Sequence, residues 1–146
     1  MKRRRDKESG ATAVEFVVLT PILVLLMFAS VQVGLALFAQ HVAISAAQEG
    51  ARTAREEAAN PNGKWRADST KVAKDWVTQL LGTLVSNTPT VQPQEPVSIN
   101  APHPEAGMNV QFTIVTVVPG WTFSFNETSV GPVECFYTPQ GVCNGH

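Results

Sequence analysis

The pattern of apolar and polar positions divides the chain after its first third. Residues 16–48 contain no Asp, Glu, Lys or Arg. Within this run, residues 16–39 are apolar except at Thr20, Pro21, Ser30, Gln32 and Gly34. A helix of these 24 residues would be about 36 Å long, enough to cross a hydrocarbon core of about 30 Å with some tilt. The pattern therefore predicts a transmembrane helix followed by a more polar domain.

The helical pattern continues beyond the apolar run. Residues 35–59 contain no proline, and small residues recur there at every fourth position in two adjacent rows. The rows are Ala39, Ala43, Ala47 and Ala51, and Ala46, Gly50, Ala54 and Ala58. Such a strip lets helix backbones approach closely, although alanine is also a good helix former by itself. We expect a stem helix over residues 11–59 that packs against the chain's own outer domain or against neighbouring subunits, and that ends at Asn60-Pro61-Asn62-Gly63.

A second helix is expected early in the remaining part, residues 61–146. Asp68-Ser69-Thr70 is a capping sequence, and helical spacing then continues to about Ser86. The predicted buried face comprises Val72, Ala73, Trp76, Val77, Leu80, Leu81, Leu84 and Val85. Trp65 and Trp76 are alternatively membrane-interface anchors, but Trp76 is expected in the core.

Alternation predicts a small antiparallel sheet after this helix. Apolar and polar residues alternate in residues 109–118 and again in residues 121–125, and Pro119-Gly120 between them favours a type II turn. Residues 88–104 hold five of the ten prolines and predict an extended connection with a short edge strand at Val97-Ser98-Ile99. The expected fold class is α+β: one long stem helix, one packing helix and a small sheet.

The charge distribution predicts the orientation of the chain. Residues 2–8 carry five positive and two negative charges, and a basic cluster before a membrane span tends to stay cytoplasmic. The domain after the span would then lie outside. A secretory signal peptide is a poorer match, because its apolar core is shorter and ends at a cleavage site. A nucleic-acid-binding arm is disfavoured because the apolar run follows at once, and removal of residues 1–10 would leave a net charge of about −4.

The two cysteines, Cys135 and Cys143, flank a turn sequence. A bridge between them would suit an oxidising compartment, and two unpaired thiols are the alternative. The three histidines are scattered, so no metal site is expected. No nucleotide-binding loop or catalytic constellation is present, so we expect no enzyme, no cofactor and no small-molecule substrate.

Glu15 is the charged residue that the apolar run leaves to be explained. At the first turn of the span it is either a tolerated interfacial carboxylate or a group that awaits a cationic partner, because burial of a charge in the membrane is costly. Cleavage after Gly10 would create an amino group on Ala11, one helical turn from Glu15. That group would neutralise Glu15 in the same chain or in a neighbour.

These residues resemble the type IV prepilin pattern, in which a Gly is followed five positions later by Glu and then by an aromatic residue: Gly10, Glu15 and Phe16. Pro21 also stands where such stems often carry proline. The stretches Gly-Ala-Thr-Ala-Val-Glu-Phe-Val-Val-Leu-Thr-Pro-Ile-Leu, Gln40-His41 and Gln48-Glu49-Gly50-Ala51-Arg52-Thr53-Ala54 are similar to the TadE-like family. These are pilin-like proteins (pseudopilins) of the tight-adherence, or Flp, pilus system. The resemblance covers roughly residues 3–58.

The resemblance implies three regions: a basic leader (1–10), a transmembrane stem (11–59) and an extracytoplasmic domain (61–146). It also implies cleavage between Gly10 and Ala11 by a prepilin peptidase, and a role with other pilin-like subunits in pilus assembly and adherence at the bacterial inner membrane. Asp6 and Glu8 are a departure from the usual basic leader. The alternative function is an uncleaved single-pass protein whose outer domain binds a partner, and a membrane-anchored enzyme is the third class considered.

Overall fold

One helix, α1 (Arg5–Glu57), carries the rest of the fold on its C-terminal half. The computed structural model describes residues 5–60, 63–95, 104–118, 120–137, 139 and 143–144, with the backbone alone for residues 5–12, 137, 143 and 144. After α1 come α2 (Trp65–Leu81), a 3₁₀ turn (Gly82–Leu84), and the strands β1 (Thr90–Gln94), β2 (Glu105–Ile114), β3 (Phe123–Pro132), β4 (Phe136–Tyr137) and β5 (Cys143–Asn144). The predicted α+β class is confirmed.

Helix α1 is continuous through both Gly10 and Pro21. Its helical backbone begins at Arg5 and passes through Gly10. The helix therefore starts upstream of Ala11, the first residue of the expected stem helix. Pro21 lies inside α1 and does not end it, although its missing N–H removes one backbone hydrogen bond. The helix ends at Glu57, two residues before the expected end, and Asn60 N–H then donates to the Glu57 carbonyl at 3.0 Å.

Helix α2 begins earlier than the sequence predicts. The prediction of a cap at residues 68–70 is wrong: the N-cap position is Lys64, and Ser69 lies inside the helix, buried, with its hydroxyl donating to the Trp65 carbonyl. Burial of Trp65 against the end of α1 accounts for the additional turn. The helix stops at Leu81 rather than near residue 86, because Gly82 turns the backbone to a φ of 50° while its N–H still bonds Thr78.

The expected core position of Trp76 is also wrong, since its side chain is 40 % exposed. The buried line of α2 consists of Trp65, Ser69, Ala73, Val77 and Leu81. Because these residues recur at every fourth position, the buried face of α2 is only one row of side chains wide. The two helices approach closely at Gly50, where an added Cβ would stand 2.9 Å from Ala73 Cβ, and the flanking Trp76 and Leu80 remain outside.

The three main strands form an antiparallel sheet in the order β1-β2-β3. The pairing of β2 with β3 runs from Glu105↔Pro132 to Ile114↔Phe123, so the predicted hairpin is present with both strands shifted. Its connection contains the expected turn: Trp121 N–H donates to the Val118 carbonyl at 3.3 Å, and Gly120 has a φ of 84°. The edge strand observed is β1, which contains Pro93, whereas the predicted strand at residues 97–99 lies outside the described residues.

The main core lies between α1, α2 and the sheet. Central strand β2 contributes Met108, Val110, Phe112 and Ile114, and α1 contributes its row of alanines from Ala39 to Ala51. Phe112 and Phe125 pack with ring centroids 5.7 Å apart. The outer domain is therefore built directly onto the stem.

Candidate functional site

The solvent exposure of helix α1 changes at Gln32. Every side chain from Ala13 to Val31 is exposed, apart from Thr20 and Ala29, which are partly exposed. Phe16 and Val17 are each 70 % exposed. From Gln32 onward one face of α1 is buried by the rest of the chain. We call residues 13–31 the exposed segment and residues 32–57 the covered segment.

The exposed segment has the dimensions of a membrane span. Its 19 residues rise by about 28 Å, close to the hydrocarbon thickness of about 30 Å. Helix α1 is long and apolar enough to cross a membrane, and Glu15 is the only charged residue within the exposed segment. Such a surface is unfavourable in water, because each Å² of apolar area left exposed forgoes about 25 cal/mol of the free energy of hydrophobic burial.

Glu15 and Phe16 lie at the N-terminal end of the exposed segment. Both are exposed, and no ion pair between described side chains includes Glu15. The Phe16 carbonyl accepts the hydroxyl of Thr20 at 2.7 Å, one residue before Pro21. Gly10 and Ala11 belong to the same helix, and Ala11 lies four residues before Glu15, which places the two on one face.

The covered segment contains all the small residues predicted to pack except Ala58, which follows the end of α1. Six of these residues are at most 1 % exposed or classed as buried: Ala43, Ala46, Ala47, Gly50, Ala51 and Ala54. At Gly50 a Cβ atom would stand 2.9 Å from Ala73 Cβ and 3.0 Å from Met108 Cγ. Of the two expected partners, the chain's own domain covers these rows, so they are not open to a neighbouring subunit.

Gln32 is the residue that the sequence analysis missed. Its side chain is fully buried, and its Oε1 accepts the backbone N–H of Val117 at 2.6 Å. Its Nε2 has no hydrogen-bond partner among the described residues. This contact joins the stem to the loop between β2 and β3. The available signal is an amide inside a run that has no charged residue.

A second polar contact fixes the start of α2 against the end of β1. The guanidinium of Arg66 donates to both carboxylate oxygens of Glu95 and also lies over the ring of Trp65, 4.5 Å from its centroid. The hydrogen bond from Arg66 holds the pKa of Glu95 below its ordinary value, and Glu95 raises the pKa of Arg66. Both side chains are more than half exposed, so the contact adds little to stability.

Of the two cysteines, Cys143 lies in a separate two-stranded ladder, and Cys135 directly precedes its first strand. Strands β4 and β5 pair Tyr137 with Cys143 and Phe136 with Asn144, and Cys135 stands two residues before Tyr137. The side chain of Cys143 lies outside the description, so the disulfide stays a prediction. Within the described residues, no three His, Cys, Asp or Glu side chains are grouped to hold a metal ion.

Comparison with known families gives a match that covers the stem. The family model described as TadE-like protein matches residues 10–52, and this confirms the resemblance over the segment from Gly10 to Arg52. The match includes the exposed segment and most of the covered segment, and it stops before α2. No curated protein and no solved structure matches the chain.

Proposed function

We propose, from the match of residues 10–52 to TadE-like proteins, that this chain is a pilin-like (pseudopilin) subunit of the Tad, or Flp, pilus machinery. It is made as a single-pass precursor in the bacterial inner membrane, with residues 1–10 in the cytoplasm and the domain after the stem outside. A prepilin peptidase cleaves it between Gly10 and Ala11, and its mature form takes part in pilus assembly and adherence.

The observation that carries this proposal is the division of α1 at Gln32. A subunit that first resides in a membrane and then joins other stems needs an apolar surface that its own fold leaves free. The exposed segment supplies about 28 Å of such surface. The covered segment meanwhile gives the outer domain a complete core, so the domain keeps its fold in either surrounding.

Glu15 gives the exposed segment a means to set register. A carboxylate among apolar stems costs about 2.5–3.5 kcal/mol near the centre of a membrane, and an ammonium group placed against it reduces that cost. Cleavage would supply such a group on Ala11. In a neighbouring subunit, this amino group would pair with Glu15 only at one axial offset between the two stems.

Two experiments test the proposal. Intact mass and N-terminal sequencing of the protein extracted from membranes should show a chain that begins at Ala11; a chain that retains residues 1–10 would instead support an uncleaved, anchored protein with a partner-binding domain. The second experiment concerns Glu15. The Glu15→Ala variant should be cleaved normally yet be lost from the assembled pilus fraction. Val18→Ala is its matched control, because Val18 is 60 % exposed on the same segment and its change removes apolar area without removing charge. Equal assembly of both variants would contradict the role given to Glu15.

A further inference from the structure

We propose that the described part of the loop between β2 and β3, residues 115–118 and 120–122, is a second membrane contact that lies in the headgroup region of the outer leaflet beside the stem. The proposal rests on the proposed membrane span of the exposed segment. It assigns a role to apolar side chains that the core of the outer domain does not use.

The position of the loop follows from its contact with Gln32. Val117 N–H reaches Gln32 Oε1 at 2.6 Å, so the loop lies beside α1 at the level of residue 32. From Glu15 to Gln32 the helix rises by about 25 Å. If Glu15 lies near the inner boundary of a hydrocarbon core about 30 Å thick, then the loop lies near the outer boundary.

The chemistry of the loop suits that depth. Val115, Val117 and Trp121 are 48 %, 49 % and 44 % exposed. No charged residue occurs between Glu105 and Glu127, so insertion of the loop buries no ion. Tryptophan is enriched at membrane–water interfaces, because its ring is apolar and its N–H can bond to water or headgroups.

Contacts with neighbouring residues of the hairpin order the described part of the loop. The Thr116 hydroxyl donates to the Trp121 carbonyl at 2.8 Å, and the ring of Trp121 packs edge-on against Phe123 with centroids 6.0 Å apart. Little conformational entropy is therefore lost when the loop meets a surface. Continuity with the exposed segment favours lipid as that surface over a second copy of the chain.

Tryptophan fluorescence of the full chain tests the proposal. Trp76 is 40 % exposed, almost as much as Trp121, but it lies on α2. Because Ala73 of α2 packs at Gly50, Trp76 stands about 22 Å farther along the stem than Gln32. Trp76→Phe keeps the exposed Trp121, whereas Trp121→Phe keeps the exposed Trp76; buried Trp65 is a common background in both variants.

Each variant is placed in phosphatidylcholine vesicles that contain lipids brominated near the headgroup end of the acyl chain. We expect the bromolipid to quench Trp76→Phe several-fold more than Trp121→Phe, and aqueous iodide to show the reverse order. Equal quenching by bromolipid would overturn the proposal, and so would shielding of Trp121 from both quenchers, since that result means coverage by a second copy. Resistance of both variants to carbonate extraction tests the membrane span separately, so a failure of the loop proposal is distinguishable from a failure of the proposed span.

Discussion

Substitution of Gly50 by alanine tests whether close approach of α1 and α2 forms the outer domain. Gly50 faces Ala73 and Met108, and the Ser69 carbonyl oxygen would be 3.2 Å from an added Cβ. The carbonyl and Ala73 Cβ are fixed to the α2 backbone, so they cannot move away without displacing the helix. The added methyl group therefore strains the interface.

Two opposing terms determine the size of the effect. Alanine in place of glycine inside a helix gains about 1 kcal/mol of helix propensity, whereas an extra methyl group in a well-packed core costs about 1–3 kcal/mol. Gly34 provides the matched control, because it lies in the same helix and an added Cβ there would meet no atom within 4 Å. Gly34→Ala keeps the propensity gain without the packing cost, so the difference between the variants isolates the packing term.

Thermal unfolding of the full chain in detergent micelles, followed by near-ultraviolet circular dichroism of the tryptophans, measures this difference. At about 4–8 °C for each kcal/mol in a domain of this size, the Tm of Gly50→Ala should lie about 5–20 °C below that of Gly34→Ala. A Tm for Gly50→Ala equal to or above that of Gly34→Ala would refute the requirement for glycine at this position.

Two further predictions concern the outer domain. Gly107→Ala should destabilise the sheet by about 1–3 kcal/mol or more, because the new Cβ would be 2.3 Å from the Ser129 carbonyl oxygen across the β2–β3 pair; chemical denaturation of the full chain in micelles measures this loss, and wild-type stability would contradict the observed strand spacing. The pKa of the Glu95 carboxyl should lie below its ordinary value because Arg66 donates hydrogen bonds to it. The small contribution of this pair to the free energy of unfolding is therefore fully present above the unfolded-state pKa. It is lost as the pH falls through the lowered folded-state pKa. Carboxyl chemical shifts followed by NMR should show the pKa of Glu95 return toward its ordinary value in Arg66→Gln; an unchanged titration would exclude the ion pair.

The stem could be predicted well from the sequence because its signals are local. Absence of charge over residues 16–48 and the four-residue recurrence of small side chains each reflect a single helix. Their consequences are visible as the exposed segment and as the buried alanines from Ala39 to Ala58. The sequence does not decide which partner buries these alanines, since a smooth strip fits any second helix equally well.

The errors in α2 arise from tertiary packing rather than from local preference. Periodicity alone predicts Trp76 as a core residue, but the buried stripe on α2 is narrow where α1 approaches it closely at Gly50. Trp65 precedes the apparent capping residues, and its burial against Ala58 extends the helix beyond them. Gln32 could not be recognised because its partner is a backbone N–H that is 85 residues away in the chain.

Pro21 places the position at which α1 bends most easily inside the exposed segment. Kinks in helices concentrate at proline, where one backbone hydrogen bond is missing, and Pro21 lies eleven residues before Gln32, outside every contact with the outer domain. From Pro21 to Glu57 the helix is about 54 Å long, so a bend of about 10° at Pro21 would carry its far end through about 9 Å. The same bend would leave the covered segment and its core unchanged. A bend at Pro21 would therefore change the orientation of the whole outer domain without changing the stability of its fold.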